Sequence, residues 1–353
     1  MEVEMAQNKK ETFTQLSRLW EDDNIKIFPT TGKKYTILSD LHFGDGGPAD
    51  DFRHNVETLK RILSHYLEND FRIILLGDIE EMWQFDLDMI KKQYDEKIYS
   101  LFRKFETDRV IRVFGNHDRE WESPPDPVMS NPDTTKGAPE ALKMANGNSE
   151  PFILLVHGHQ GNIESDKNSW SSKFFVRLYK VVEPCLKRLN IGTHPPAIKS
   201  QVTTDYEQVM YAWAKENGVI LICGHSHRAI FASTSYARRL QNQIDALKKQ
   251  NTENPDNRDL VEANKKKITE LKRKLNDEKK KNRDIDPADP GKEPLPCYFN
   301  TGCGLFTTGI TCLEIENDEI RLVKWHKEKK EEPFYEIYER GKLSEFSIQT
   351  HST

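Results

Sequence analysis

Residues 35–42 read YTILSDLH: an apolar β-type run that stops abruptly in Asp40 and His42. The same event recurs four times. FRIILLGD ends at Asp78; VIRVFGNHD ends at Asn116, His117 and Asp118; PFILLVHGH ends at His157 and His159; GVILICGHSH ends at His225 and His227. Singly, each run is a strand followed by a polar loop. Together, five runs deliver Asp, Asn and His at their C-terminal ends, where an α/β sheet keeps its chemistry. Carboxylates mixed with neutral imidazoles are the donors of hydrolytic sites in which two cations sit ~3.5–4 Å apart. Asp40-x-His42 and His225-x-His227 have i, i+2 spacing. On an extended stretch alternate side chains point the same way, so each pair can serve one cation or straddle two. Asp78, Asn116 and His157 stand singly at strand ends.

Outward from these motifs, Phe52 to Tyr66 carries Val56, Leu59, Ile62, Leu63 and Tyr66 at helical spacing before the strand 71–76. This predicts a right-handed βαβ unit. A helical pattern follows Asp78 as far as Phe105, then a strand at 109–114. The proline-rich stretch 119–150 reads as a long loop or small excursion near the site. A strand at 152–156, an apolar helix from Trp170 to Leu189, a helix from Tyr206 to Asn217 closed by Gly218, and a strand at 219–223 complete this part.

After GHSH the composition changes. Residues 237–282 are almost entirely polar, with Leu240, Ile244 and Leu247 forming one narrow stripe. Val261, Ile268, Leu271 and Leu275 form a second, broken at Lys265. The Asn254-Pro255-Asp256-Asn257 turn between them predicts an antiparallel helical hairpin with a thin coiled-coil-like seam. Residues 283–294 read as a linker, after which β-patterns resume at Cys297–Phe299, Gly309–Ile315 and Glu319–Trp325. The hairpin therefore interrupts a domain made of 35–236 and 295–340. Residues 1–34 are an N-terminal helical extension, with a short helix around Phe13, Leu16 and Trp20. The last twenty residues read as frayed, 341–353 being a polar tail.

The chain has 353 residues, 36% of them hydrophobic, enough for one sizeable core. A net charge of −5, from 52 basic and 57 acidic residues, gives no general attraction to nucleic acid or anionic membrane. No apolar window is long enough to span a bilayer, and the N-terminal stretch has no apolar signal segment. Five cysteines without a CxxC pair point to reduced thiols and a cytoplasmic home. The Lys-rich hairpin can serve a protein partner or self-association; its bland reading is a solvated face.

The order DxH, GD, GNHD, VHGH, GHSH across Asp40 to His227 resembles the calcineurin-like metallophosphoesterase superfamily, and NTGCGLFTTGITCLEI fits its closing sheet. The resemblance implies a four-layer α/β/β/α sandwich with two divalent transition-metal ions, Mn²⁺ first, Fe or Zn²⁺ as alternatives. It assigns Asp40, His42 and His227 to one ion, Asn116, His157 and His225 to the other, and Asp78 to both. His117 becomes the proton donor to the leaving group, its ring fixed by Asp118 or Glu81, while water activated between the ions attacks phosphorus. His159, Trp83 and Trp121 are candidates for substrate or supporting contacts. In the protein-phosphatase branch GDxxDRG stands where this chain has Gly77-Asp78-Ile79-Glu80-Glu81-Met82, so Glu81 replaces the Asp and Met82 the Arg. The expected substrate is a small phosphomonoester or phosphodiester. A nucleotide-sugar or lipid-linked diphosphate, a phosphoprotein, and a non-enzymatic interaction role are the alternatives.

Overall fold

Strand β3 (Phe71–Leu76) carries Ile73 and Leu75 on one face and Ile74 and Leu76 on the other, all fully buried. Burial on both faces is what a parallel strand covered from two sides requires. In the computed structural model, which describes residues 2–106, 108–123, 137–147, 149–161, 198–279, 295–327 and 334–346, the two faces enter different cores. Ile73 and Leu75 pack with Leu59, Ile62, Leu63 and Tyr66 of helix α2 (Val56–Glu68). Ile74 and Leu76 pack with Ile37, Leu155, Ile222, Phe299 and Leu313, between two sheets.

The first sheet has the order β13-β12-β11-β2-β3-β4, with β2 at Lys34–Leu38, β4 at Val110–Val113, β11 at Gly309–Glu316, β12 at Glu319–His326 and β13 at Tyr335–Lys342. The second has the order β1-β5-β6-β7-β10-β8-β9, with β1 at Ile27–Pro29, β5 at Ala141–Ala145, β6 at Pro151–Val156, β7 at Ile220–Cys223, β8 at Ala229–Phe231, β9 at Thr234–Ser235 and β10 at Tyr298–Thr301. Helices α2 and α3 (Leu87–Tyr94) cover the outer face of the first sheet. Helices α1 (Glu2–Glu21) and α4 (Ile198–Asn217) cover the second, burying Leu16, Leu19, Met210 and Trp213 against Leu154, Val156 and Leu221. The result is an α/β/β/α sandwich. Strands β2, β3 and β4 run parallel in one sheet, and β6 and β7 in the other.

Helices α5 (Tyr236–Glu253) and α6 (Arg258–Lys279) follow β9 and close a small core of their own from Tyr236, Leu240, Ile244, Leu271 and Leu275. Tyr236 stacks on Tyr338 of β13 at 4.1 Å, Arg239 pairs with Glu339 and Lys274 with Glu336. The linker expected at 283–294 and the apolar helix expected from Trp170 to Leu189 lie outside the described residues.

Four readings change. The supposed loop 119–150 contains β5, whose five residues are all buried between β1 and β6. The N-terminal extension supplies an edge strand, β1, as well as a helix, and that helix is 20 residues long. The supposedly frayed end contains β13, paired along its length with β12. Only partial burial, with Glu336, Glu339, Arg340 and Lys342 on it, hides the β-pattern of this edge strand. Among the described residues, no helix is long and apolar enough to cross a membrane.

Candidate metal centre

The loops after β2, β3, β4, β6 and β7 meet at one end of the sandwich. Asp40 N–H donates to Gly77 O at 3.1 Å, His42 N–H to Asp78 O at 3.0 Å, and Gly224 N–H to His157 O at 2.8 Å. Asp40, His42, Asp78, His225 and His227 all have φ between 49° and 65°. That left-handed region is costly for residues with a Cβ, and such strain gathers at functional sites. It also corrects the extended-stretch argument. The Asp40/His42 and His225/His227 pairs are aimed by left-handed backbone, not by strand alternation. The glycines of the motifs are required by close approach. Gly77 has φ +84°, and a Cβ there would lie 2.5 Å from His157 Nδ1, while one at Gly115 would collide with the Asp78 carboxylate.

Three groups of ligand-type atoms result among the described residues, one of them His42, Glu81 and His117. Asp40, His42 and His227 present ligand atoms within 4.8 Å of one another, as do Asp78, His157 and His225. His42 Nδ1 donates to Glu81 Oε2 at 2.7 Å, and His157 Nδ1 donates to Leu76 O at 2.8 Å. A neutral ring then keeps its lone pair on Nε2. Yet His42 Nε2 lies 3.9 Å from Asp40 Oδ1 and 3.8 Å from Asp78 Oδ2, and His157 Nε2 lies 3.0 Å from Asp78 Oδ2. Lone pairs facing carboxylate oxygens repel unless a positive charge stands between them. Among the described residues, these two Nε2 atoms and Asn116 Oδ1 are buried without a hydrogen-bond partner. The donor set of imidazole, carboxylate and amide oxygen fits divalent ions.

The electrostatics agree. Burial works to raise Asp40, but His227 and His42 beside it hold it well below the usual carboxylate range. Burial opposes charge on His157, yet Asp78 pulls it up to about 9. Burial and then His157 push His225 down to about 3, leaving it a neutral donor. The centre is thus built to hold positive charge beside Asp40 and Asp78.

His117 shares its group with His42 and Glu81. Its N–H donates to Asp78 Oδ1 at 2.8 Å, its Nδ1 to Glu81 Oε1 at 2.8 Å, and Trp83 stacks on its ring at 4.0 Å. The two imidazoles hold buried Glu81 down to about 2 against the desolvation that would raise it. Asp118 does not take the part expected of it. Its carboxylate accepts from Ile79 N–H at 2.9 Å and Gly115 N–H at 2.6 Å, and pairs with Arg112 at 3.3 Å. It ties the β3 and β4 loops together instead. Trp121 is likewise structural: it is buried, donates to Glu80 Oε2 at 2.9 Å and lies under Arg112. His159 is buried outside these groups, its Nδ1 without a hydrogen-bond partner among the described residues, and lines a cleft of about 460 Å³ with Arg18, Phe114, Arg119 and Glu140.

The profile of the calcineurin-like phosphoesterases matches residues 33–229, more than half of the chain. The chain belongs to that family. No curated protein sequence matches it. Among solved structures, a conserved protein of Streptococcus pneumoniae TIGR4, described as a predicted phosphoesterase, is similar at 11% identity across 86% of this chain and 97% of its own, with a TM-score of 0.29. Metal-dependent phosphoester hydrolysis is the chemistry of calcineurin-like phosphoesterases, and the His and Asp clusters here suit it.

Several supporting residues of this calcineurin-like phosphoesterase escaped the sequence reading. Glu80 accepts from Tyr99 OH at 2.8 Å and pairs with Arg112, bracing the loop that bears Asp78. Ser39 donates to Asp40 and contacts Thr301 Oγ1 at 2.6 Å, and Asn300 Nδ2 donates to Gly224 O at 2.6 Å. The only signal for the last two was NTG standing at the end of a β-run.

Proposed function

We propose that the protein hydrolyses a small phosphomonoester or phosphodiester with two divalent ions, Mn²⁺ being the first assignment. Asp40, His42 and His227 would hold one ion, Asn116, His157 and His225 the other, and Asp78 would serve both. When bound, such ions supply Lewis acidity that acidifies water near neutral pH and offsets phosphoryl charge.

The observation that carries the reading is the setting of His117. Its Nδ1 is fixed by Glu81 and its ring by Trp83, while 22% of its side-chain surface stays open. Nε2 is thereby left to hand a proton to the departing oxygen. Asp78 orients the same residue through the His117 backbone N–H. A small substrate is favoured because Met82, where the phosphoprotein branch has Arg, is buried in the core and offers no donor.

A screen with Mn²⁺-reconstituted protein tests this. It pairs p-nitrophenyl phosphate, bis-p-nitrophenyl phosphate, nucleotides and nucleotide-sugar diphosphates with a phosphopeptide set, and identifies the bond broken. Turnover of small mono- or diesters is expected. A kcat/KM ~100-fold higher on phosphopeptides, ~2.7 kcal/mol of transition-state preference, would overturn the small-substrate reading. Preference for diphosphates would make it a pyrophosphohydrolase. Metal binding without cleavage of any member would leave an interaction protein.

A further inference from the structure

Glu81 touches two histidines with different tasks. Oε2 accepts from His42 Nδ1 at 2.7 Å and Oε1 from His117 Nδ1 at 2.8 Å. Glu81 is 6% exposed, so no water-filled margin lets its carboxylate swing between alternative partners. The two rings meet edge to face, 4.8 Å between centroids, and Trp83 closes the far side of His117 at 4.0 Å and 19°. Each oxygen is committed to one ring, and each ring meets Glu81 through the nitrogen it does not need for chemistry.

We infer that Glu81 is a shared positioning residue, one carboxylate that sets both the ligand ring of His42 and the proton-donating ring of His117. The inference rests on the phosphoesterase reading for the His117 half and on the ligand assignment of His42 for the other. Accepting at Nδ1 forces a neutral His42 to keep its lone pair on Nε2, the atom that faces Asp40 and Asp78. Accepting at the His117 Nδ1 orients that ring so that Nε2 is free to reach a leaving oxygen. Two carboxylate oxygens can satisfy two N–H donors at once. A glutamine offers one oxygen and one N–H₂, and the latter would meet an Nδ1–H donor head on. One ring must then turn over or change tautomer, and the other keeps a neutral acceptor in place of a charged one, a bond about half as strong. An aspartate is one methylene shorter and cannot span both rings from the same backbone position, so it keeps one bond and loses the other.

The experiment uses full-length protein stripped of metal, with Glu81→Gln, Glu81→Ala, His117→Ala and the Glu81→Gln/His117→Ala pair. Mn²⁺ affinity is measured by calorimetry, and the loaded proteins are assayed on aryl phosphates of graded leaving-group acidity. Glu81→Gln is expected to weaken Mn²⁺ binding ~10–100-fold, the range for losing a partner of a ligating histidine. His117→Ala is expected to leave Mn²⁺ affinity within about twofold. Both single variants should steepen the leaving-group dependence, and the pair should steepen it no further than His117→Ala alone. Movement of only one of the two readouts in Glu81→Gln overturns the shared role. Should Glu81→Gln lose its near-ultraviolet circular dichroism, Glu81→Ala, which removes both acceptors, replaces it under the same criterion: movement of both readouts supports the inference, and movement of one or neither overturns it. If wild-type protein cleaves no phosphoester, the phosphoesterase reading fails independently. Histidine ring N–H proton resonances then decide the inference. Two downfield Nδ1–H signals lost or moved upfield together in Glu81→Gln support it, and change in one alone or in neither overturns it.

Discussion

At His117 three contacts converge: the Glu81 carboxylate, the Trp83 ring and the Asp78 side chain on its backbone N–H. None of them competes for Nε2. Replacing His117 by Ala is expected to lower kcat by roughly 10²–10⁴, with p-nitrophenolate substrates hurt less than alkoxides and metal content retained by elemental analysis. Loss of an ion in that variant would make His117 a ligand. Asp78 faces His42 and His157 through Oδ2. Asp78→Asn removes the charge that two candidate ligands share, so metal content and turnover should fall together. Arg112 is a different case. It is the cation between two buried carboxylates, Glu80 and Asp118, which brace the Asp78 and His117 loops. Arg112→Met would leave both unpaired, at a cost of about 3–5 kcal/mol in urea unfolding; a change below about 1 kcal/mol would show that the pair contributes little.

At the scale of elements, the α5–α6 hairpin leans on β13 through Tyr236, Arg239 and Lys274. Its apolar core is its own apart from the partly buried Tyr338. Replacing 237–282 by a short Gly/Ser loop is therefore expected to leave a folded domain that still binds Mn²⁺, with a lower Tm because β13 loses its cover. Aggregation on purification would mean that the hairpin is part of the main core. The same contact carries a pH dependence. Glu336 accepts from His326 Nε2 at 2.8 Å and Lys274 Nζ at 3.1 Å, and the His326 bond first, then Lys274, hold it down to about 2 from an ordinary 4.5. A carboxylate depressed in the folded state stabilises above its unfolded pKa and loses that contribution as pH falls through its folded one. The wild-type advantage over Glu336→Gln in chemical denaturation should thus be full above pH 4.5 and shrink toward pH 2. An advantage that stays constant across that window would remove the linkage.

Across the whole molecule, the candidate ligands come from both sheets. Asp40, His42, Asp78 and Asn116 follow strands of the first; His157, His225 and His227 follow strands of the second. Cations held there would tie the two sheets at one end, beyond the apolar core between them. Free Mn²⁺ at ~100 times its Kd should add ~2.7 kcal/mol of stability, read as a rise in Tm by scanning calorimetry. The rise should vanish in Asp78→Asn. A wild-type Tm indifferent to Mn²⁺ and to chelator would be incompatible with ions bridging the sheets.

The end of each apolar run was legible in the sequence, and with it the side chains that stand at the strand tips, because hydrophobic alternation and the residue that breaks it are local. The βαβ unit and the helical hairpin were legible for the same reason. Strand β1 is three residues long, β5 sits beside proline-rich chain, and β13 is a charged edge; each acquires its β-structure from a neighbour, so no local pattern announces it. The left-handed backbone at Asp40, His42, Asp78, His225 and His227 was equally hidden, since the strain is sustained by hydrogen bonds between loops far apart in the chain. Sequence placed Glu81 and Asp118 on equal terms as partners of His117. Only the tertiary structure decided between them: the parallel register of β2, β3 and β4 turns Asp118 inward onto two backbone amides and Arg112, and leaves Glu81 between the rings of His42 and His117.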